Sequence, residues 1–569
     1  MSEMSNVWRR YSLAMLVLGY LLPGSAYLTA QNSTSPVQGP VLRSTTHLVQ
    51  VSVIALDRDG HPARDLQKAD FVLLDNGKPQ PVSAFSSDEL LQNVAGGKEA
   101  KASALPPNVF SNRSRHAEEH AGSVTVILFD ALNTSPSEQV YVREQINEFL
   151  KTVQPEDHVA VYLLTTRLTV LNEFTQDAKS LQQAVERFQT VDSLILHNSI
   201  PTYISPSDTG FTDPKAAAKA AAMSNNAASV QSDLATFDRV QVTAQALDAI
   251  ARHVSGIPGR KNLVWVSGSF PVSISFQSAE NSPVDSMSQN FMPLMERLAR
   301  SLNDSNLAVY PVDARGILTN EEFDASKAHP FSGGHPATQT GVGQDEQATM
   351  GVIAARTGGR ASYNTNDISG AIRRAVDESK YTYLLGYYPD HGEWNGAFHE
   401  IKLHVKKPGI TLRYRRGYFA LADDNKSNSE SQAVLLSALW SPVDATSIGI
   451  QAKVESVDMV TRKLGVRVRL DTQELRFSEV NEQHVGSVDA IYFQLGPGDA
   501  VLATEPRTYA MDFNAKDYQS TSQAGYDLLA SLAIQPETRE LRIVVRDENS
   551  GAIGSVTVPI ERFIPPKAK

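Results

Sequence analysis

The chain has 569 residues, enough for roughly two to four domains of ordinary size. Its hydrophobic share of 41% and charged share of 20% are those of a globular protein. The net charge of -11 argues against a nucleic-acid partner. Since the 569 residues include no cysteine, disulfides and a lipid-modified cysteine are both excluded.

Residues 1–30 have the layout of a signal peptide. Arg9 and Arg10 precede an apolar run at residues 13–22, and small residues follow, with Ala26 and Ala30 both open as cleavage points. The run is shorter than the roughly 20 residues that span a bilayer, which disfavours an uncleaved anchor. We therefore predict export to the periplasm, the cell surface or the medium, with no membrane span after signal removal.

Strand patterns flank the centre of the chain on both sides. Residues 46–86 alternate apolar and polar side chains and include an Asn76-Gly77 hairpin turn, and residues 391–420 contain a second alternating set. Neither set can bury a core alone, so we predict that the second is a β-hairpin that completes a sandwich with the first. Residues 87–122 are polar and are predicted to be a linker.

Residues 123–390 alternate strands with helices, which predicts an α/β fold with a parallel sheet and helices on both faces. A buried strand ends at Asp130, a helix begins at Ser135-Pro136, and residues 381–388 are predicted to be the last strand of the sheet. The Ala-rich stretch 190–236 is interpreted either as a neighbour of the strand-end face or as a variable surface loop.

Four segments carry a family resemblance: VILFDALNT, AVYPVDARG, TGGRASYNTND and YLLGYYPD. Together they resemble the VWFA-related Acidobacterial domain family, and the region from residue 123 to 388 resembles a von Willebrand factor type A domain. The resemblance extends from about Val49 to Phe419 and leaves the last quarter of the chain uncovered. It implies a Rossmann-like domain that binds a protein or cell-surface ligand, as an adhesion protein does.

The resemblance also implies a metal-ion-dependent adhesion site, from which this chain departs. Asp130 and Thr134 fit two of its positions, but Leu132 stands where a hydroxyl is expected and Asn133 is displaced by one residue. Ser267-Gly268 replaces an expected Asp-Gly, and the distal threonine falls near Gln241 or Thr243. We expect a degenerate site with Asp130, Asn133 and Thr134 as candidate ligands of Mg²⁺ or Mn²⁺, since such ions require several oxygen ligands. Asp130, Ser267 and Asp313 are the candidate ligand-binding face.

Residues 431–565 contain alternating strands at the spacing of an immunoglobulin-like or fibronectin-like sandwich. Two further patterns suggest metals. His116, Glu119 and His120 fit a zinc-peptidase motif but lie in the polar linker, where no apolar face anchors a helix. Asp57, Asp59 and Gly60 resemble a calcium loop, and a hairpin turn explains them better.

The sequence therefore favours an exported, non-enzymatic protein that binds a protein or surface polymer through the face around Asp130. Two alternatives stay open: a structural scaffold without a metal or ligand role, and a secreted zinc hydrolase that uses His116, Glu119 and His120.

Overall fold

The chain forms a mixed α/β structure, as the alternation of strands and helices predicts. The computed structural model describes residues 48–87, 105–113, 124–199, 204–257, 259–269, 291–317, 340–390, 394–421, 428–458 and 460–563. Two compact units make up the chain: a larger one from residues 49–103 and 113–447, and a smaller one from residues 1–48, 104–112 and 448–569. Within the described ranges, no helix combines the length and the apolar composition that crossing a bilayer requires.

The strands and helices are numbered in chain order. The strands are β1 (Val49–Leu56), β2 (Phe71–Asp75), β3 (Lys78–Gln80), β4 (Ala84–Ser87), β5 (Val109–Ser111), β6 (Val124–Asp130), β7 (His158–Leu164), β8 (Leu168–Thr175), β9 (Lys261–Ser267), β10 (Leu307–Asp313), β11 (Tyr383–Tyr387), β12 (Asn395–Val405), β13 (Thr411–Arg413), β14 (Gly417–Leu421), β15 (Ile450–Asp458), β16 (Lys463–Leu470), β17 (Ser478–Val480), β18 (Gln483–Leu495), β19 (Val501–Asn514), β20 (Tyr526–Ala533), β21 (Glu540–Asp547) and β22 (Ile553–Pro559). The α-helices are α1 (Pro136–Leu150), α2 (Ala178–Glu186), α3 (Leu194–Asn198), α4 (Pro214–Val254), α5 (Phe291–Asp304), α6 (Thr340–Thr357), α7 (Ile368–Glu378), α8 (Asn428–Trp440) and α9 (Ala515–Ala524).

A five-stranded sheet with the order β10-β9-β6-β7-β8 forms the centre of the larger unit. Its first four strands run parallel, and β8 returns antiparallel to β7 at the edge. Every residue of β6, β7, β9 and β10 is buried, as expected for a parallel sheet covered by helices on both faces. Residues of β6 contribute alternately to two hydrophobic cores, one with α4, α5 and α6 and the other with α1, α2 and α7.

The helix after β6 begins where the sequence predicts. Ser135 is its N-cap residue, Pro136 occupies the first helical position, and Glu138 completes a capping box with Ser135. Strand β6 ends at Asp130 and the cap lies at Ser135, so only four residues connect the strand to the helix. The cap therefore holds these four residues in a compact loop.

Helix α4 spans 41 residues and includes residues 214–236, about half of the Ala-rich stretch 190–236, so the interpretation as a surface loop was wrong for that half. The segment from Ala216 to Ala222 is mainly alanine, which has the highest helix propensity. At the other end of α4, His253 donates to the carbonyl of Asp444 (2.8 Å) and lies 3.5 Å from the carboxylate of Glu173. These contacts anchor the end of the helix to β8 and to the segment after α8.

Strand β11 corrects a second prediction. It pairs antiparallel with β1 and β4 and is not part of the parallel sheet. The apolar pattern of residues 381–388 identified a strand correctly, but such a pattern does not specify the partner strand. Strand β11 lies instead in the sheet β13-β1-β11-β4, which shares one hydrophobic core with a second sheet, β14-β12-β2-β3. The pairing of β2 with β12 joins strands from both flanks of the α/β region.

A buried carboxylate connects the two sheets of this flanking module. Asp75 accepts hydrogen bonds from the hydroxyls of Tyr387 (2.9 Å) and Tyr418 (2.8 Å), and its other oxygen lies 2.8 Å from Nδ1 of His399. Asp75 is 3% exposed. Its three partners come from β11, β12 and β14, so this one side chain holds together segments that are distant in the sequence.

The smaller unit also contains two sheets that share one core, with the orders β20-β16-β15-β5 and β17-β18-β21-β22. Strand β19 pairs with β18 beside the second sheet. Two expectations need correction here. Residues 87–122 include strand β5, which pairs with β15, and α8 belongs to the larger unit, so the smaller unit resumes at Ile448 rather than at residue 431.

We predict that Asp75→Ala destabilises the flanking module by about 3 kcal/mol or more, because it leaves two tyrosine hydroxyls and an imidazole without their buried acceptor. Hydrogen exchange of the segment Ile401–Val405 measures the loss, and Asp59→Ala, which changes an exposed carboxylate, is the control. Equal protection in the two variants would contradict a role for Asp75 in joining the sheets.

The contact between His253 and Glu173 predicts a pH dependence. Burial opposes protonation of His253, but the Glu173 carboxylate and the Asp444 carbonyl outweigh it and raise the pKa of His253 above 6.5. The stabilisation is therefore fully present below pH 6.5 and lost as the pH rises through the raised pKa. Opening free energies from hydrogen exchange at the end of α4 should fall over this interval. The fall should disappear in His253→Gln and persist in His404→Gln, which changes an exposed histidine.

Candidate functional site

Three polar residues predicted to lie at one sheet edge occupy the same register position. Asp130 ends β6, Ser267 ends β9 and Asp313 ends β10, and the pairing aligns Asp130 with Ser267 and Ser267 with Asp313. All three side chains are fully buried. A ligand at this edge would therefore contact the residues that cover these three side chains. A direct role of Asp130, Ser267 and Asp313 in ligand binding stays a prediction.

The carboxylate of Asp130 is surrounded by hydrogen-bond donors. Oδ2 accepts from Trp265 Nε1 (2.9 Å), Ser267 Oγ (2.9 Å) and Asn133 Nδ2 (2.8 Å), and Oδ1 accepts from the backbone N–H of Asn133 (3.1 Å). Burial raises the pKa of the Asp130 carboxyl, while these hydrogen bonds oppose the shift. The Trp265 and Asn133 groups can only donate to these oxygens, and their hydrogen bonds favour the ionised form of the carboxyl.

The two polar residues after β6 are held in the same network. Asn133 donates through Nδ2 to Thr243 Oγ1 (2.9 Å) as well as to Asp130. The hydroxyl of Thr134 donates to the carbonyl of Asp130 (2.6 Å) and accepts from the N–H of Gly268 (2.9 Å). Of the two residues that the sequence left open, Thr243 of α4 contacts this network and Gln241 is exposed.

Arg239 is a buried residue of this network that the sequence analysis missed. It is 6% exposed and lies on α4, one helical turn before Thr243. Its guanidinium donates from Nε to Asn133 Oδ1 (2.9 Å), from Nη1 to Ser199 Oγ (2.5 Å) and from Nη2 to Ser269 Oγ (2.9 Å). The sequence does contain a sign that Arg239 is buried. It lies 7 and 11 positions before Ala246 and Ile250, and therefore on the same face of α4 as these two buried residues.

The oxygens that the resemblance assigns to a metal are already engaged. Asp130 and Thr134 accept hydrogen bonds from protein donors, and the side-chain oxygen of Asn133 faces the guanidinium of Arg239. Leu132, at the expected hydroxyl position, is buried in a hydrophobic core. A divalent cation such as Mg²⁺ requires about six oxygen ligands in a near-octahedral arrangement. These residues do not fit such an ion, and the positive charge nearest to Asn133 in this network is that of Arg239.

Asp313 does not supply the missing metal ligand. Its Oδ1 accepts from the backbone N–H (3.0 Å) and Nε (2.9 Å) of Arg315, and its Oδ2 accepts from Nη2 of the same residue (2.8 Å). A guanidinium that engages both oxygens is one of the strongest pairings open to a carboxylate. Asp313 therefore positions Arg315 in the loop after β10.

The other metal patterns lie elsewhere. Asp57, Asp59 and His61 have ligand atoms within 4.8 Å of one another, but Oδ1 of Asp57 accepts the N–H groups of Asp59 and His61, which is the geometry of a turn. His116, Glu119 and His120 lie outside the described residues, as does the predicted signal peptide.

We predict that Arg239→Met destabilises the parallel sheet by about 3 kcal/mol, since it removes one buried and two partly buried hydrogen bonds of about 1 kcal/mol each while keeping an apolar side chain of similar length. Hydrogen exchange of the strand Val124–Asp130 measures the change. Arg187→Met, which alters an exposed arginine at the end of α2, is the control. A loss no larger than that of the control would mean that Arg239 does not hold the site together.

The sequence matches no protein-family model and no curated protein. Among solved structures, it is similar to a von Willebrand factor type A protein from Catenulispora acidiphila, with 10% identity over 70% of this chain and 82% of that one and a TM-score of 0.24. It is also similar to the conserved hypothetical protein BatB from Bacteroides thetaiotaomicron, with 12% identity, coverage of 45% and 98%, and a TM-score of 0.22. The pilus adhesin SpaC from Lactobacillus rhamnosus GG gives 8% identity, coverage of 76% and 54%, and a TM-score of 0.26. TM-scores this low carry no argument about function.

Proposed function

We propose that the protein is an exported, non-enzymatic adhesion or protein-interaction protein. In this proposal residues 123–380 form a von Willebrand factor A-like domain of the VWFA-related Acidobacterial family, flanked by β-sandwiches, with a degenerate metal site. The signal-peptide layout of residues 1–30 supports export, and the net charge of -11 favours a partner other than nucleic acid. The domain binds a protein or surface polymer without a divalent cation.

One observation carries the proposal: the edge of the sheet beside β10 presents exposed apolar and aromatic side chains on a rigid support. Ile317 is 60% exposed and Tyr363 is 46% exposed. Between Asp313 and Ile317, the side chain of Arg315 is 19% exposed. We call Arg315, Ile317 and Tyr363 the strand-end patch. Tyrosine, arginine and exposed apolar side chains are the types that contribute most to protein interfaces.

The two loops of the strand-end patch are joined to the sheet and to each other. The backbone N–H of Asp313 donates to the carbonyl of Ser362 (2.9 Å), and the N–H of Ile317 donates to the side chain of Asn366 (3.1 Å). Tyr141 of α1 donates to the carbonyl of Asn366. Loops fixed in this way lose little conformational entropy when a partner binds.

The buried network has a supporting role in this proposal. Asp130, Ser267 and Arg239 close the sheet edge next to the patch, and the carbonyl of Ser267 accepts the N–H of Ala314 (2.9 Å), the residue that precedes Arg315. In place of a metal ion, the guanidinium of Arg239 supplies the positive charge, and it is covalently part of the chain. Binding should therefore be insensitive to chelators.

A capture experiment with the full chain tests this function. Immobilised protein is incubated with solubilised surface proteins and polysaccharides of the source organism, with and without a chelator of divalent cations. We expect a component that is captured equally in both conditions and is lost with the Ile317→Asp and Tyr363→Ala double variant.

Val480→Asp is the matched control, because it changes an apolar residue of 45% exposure outside the patch. Capture that disappears with the chelator would contradict metal-independent binding. Capture that the double variant retains in full would contradict the assignment of the patch.

A further inference from the structure

Helix α4 is much longer than the sheet on which it lies. Arg239 contacts the loop after β6 at the carboxyl edge, and just past the end of the helix the carbonyl of Ile257 accepts from Lys261 at the start of β9. The segment from Arg239 to Val254 therefore crosses the sheet once, over about 24 Å, the length of a seven-residue strand. Residues 214–238 continue beyond the strand ends for about 37 Å, and we call them the projecting segment.

One side of the projecting segment is covered by its own domain. Asn225 makes two hydrogen bonds with the backbone of Ile204. Its Nδ2 donates to the carbonyl of Ile204 (3.1 Å), and its Oδ1 accepts from the N–H of Ile204 (2.8 Å). Ser232 donates to the carbonyl of Ser199 (2.7 Å). Ala217, Ala221 and Ala235 are buried. Ser199 and Ile204 thus cover part of this side of the helix.

A different side of the projecting segment carries an apolar seam. Met223 is 65% exposed, Val230 is 53% exposed and Leu234 is 48% exposed. With their apolar neighbours they follow alternating steps of three and four residues, at Ala220, Met223, Ala227, Val230, Leu234 and Phe237. This spacing, 3.5 residues on average, is the one with which two helices pack along their length. Large apolar side chains exposed at this spacing indicate a helix that packs against a partner helix.

We propose that the partner is a second copy of this chain, and that the two projecting segments pack antiparallel about a two-fold axis between Ala228 and Ser229. In this arrangement Ala220 lies opposite Phe237 of the partner subunit, Ala227 opposite the partner's Val230, and Met223 opposite the partner's Leu234. Small residues thus meet larger ones along the whole seam, which gives even packing. A parallel pair would instead place alanine against alanine at two levels and leave gaps there.

The charges of the projecting segment favour the same orientation. Lys215 and Lys219 are exposed near its beginning, and Asp238 is exposed at its end. In an antiparallel pair about this axis, Lys219 of one helix lies at the same level along the seam as the partner's Asp238, and the helix dipoles are opposed. In a parallel pair, each lysine instead shares its level with the partner's lysine and Asp238 with the partner's Asp238, so no level combines opposite charges. A dimer of this kind goes beyond the proposed function and would present two strand-end patches, so that binding to a surface gains avidity.

The mass of the full chain in solution tests the proposal. Sedimentation equilibrium at micromolar concentration should give twice the mass of one chain for the wild type and the mass of one chain for the Met223→Glu and Leu234→Glu double variant. The altered positions are exposed, so the circular dichroism spectrum should not change. Val352→Glu, which alters an apolar residue of 49% exposure on α6, should remain dimeric. A monomeric wild type, or a double variant that stays dimeric, would overturn the proposal.

Single cysteines test the orientation, since the chain has no cysteine of its own. The two copies of residue 227 lie about 4.5 Å apart along the axis of an antiparallel pair, whereas the two copies of residue 220 lie about 25 Å apart. Ala227→Cys should therefore form a cross-linked dimer on oxidation, and Ala220→Cys should not. Equal cross-linking of the two variants would indicate a parallel pair and overturn the antiparallel arrangement. The strand-end patch variant Ile317→Asp should leave mass and cross-linking unchanged, which separates this proposal from the proposed function.

Discussion

The burial of the Asp130 carboxylate is the constraint on which the edge of the sheet depends. A carboxylate removed from water must be compensated, and here donors from β9 and from the loop after β6 surround it. Asn133 extends the network to α4, where Thr243 and Arg239 complete it. One side chain therefore determines how two strands, a loop and the longest helix of the domain meet.

The charged groups of this network, the Asp130 carboxylate and the Arg239 guanidinium, are buried. They are therefore separated from the surface that a partner could contact. The polar side chains at the strand ends make their hydrogen bonds within the protein. The exposed groups lie one step further out, where Asp313 fixes Arg315 and the adjoining loop presents Ile317. Rigid support of exposed aromatic and apolar side chains beside a partly buried arginine is what a preformed interface requires. Helix α4 links this edge to the projecting segment, because Arg239 lies where the helix leaves the sheet.

The sequence was sufficient for features that depend on local patterns, and insufficient for those that depend on distant partners. Asp130 and Ser267 could be placed at one edge because parallel strands end together, and the cap at Ser135 could be identified from its own motif. The role of Arg239 depends on a contact with Asn133, which is 106 positions away, and the helical pattern around Arg239 does not specify that partner. Strand β11 was identified as a strand but assigned to the wrong sheet, since its apolar pattern fits either partner. The high alanine content of residues 214–236 favours a helix. The Gly and Pro residues just before this segment favoured a loop instead, and the loop was chosen.

The absence of a metal role is the central claim, and titration with a paramagnetic cation tests it most directly. Mn²⁺ is added to the full chain, and the free ion is measured by electron paramagnetic resonance, with Asp130→Ala titrated in parallel. If the guanidinium of Arg239 supplies the positive charge of this edge, the wild type and the variant will take up Mn²⁺ equally weakly. One tightly bound Mn²⁺ per chain in the wild type, lost in Asp130→Ala, would contradict the account.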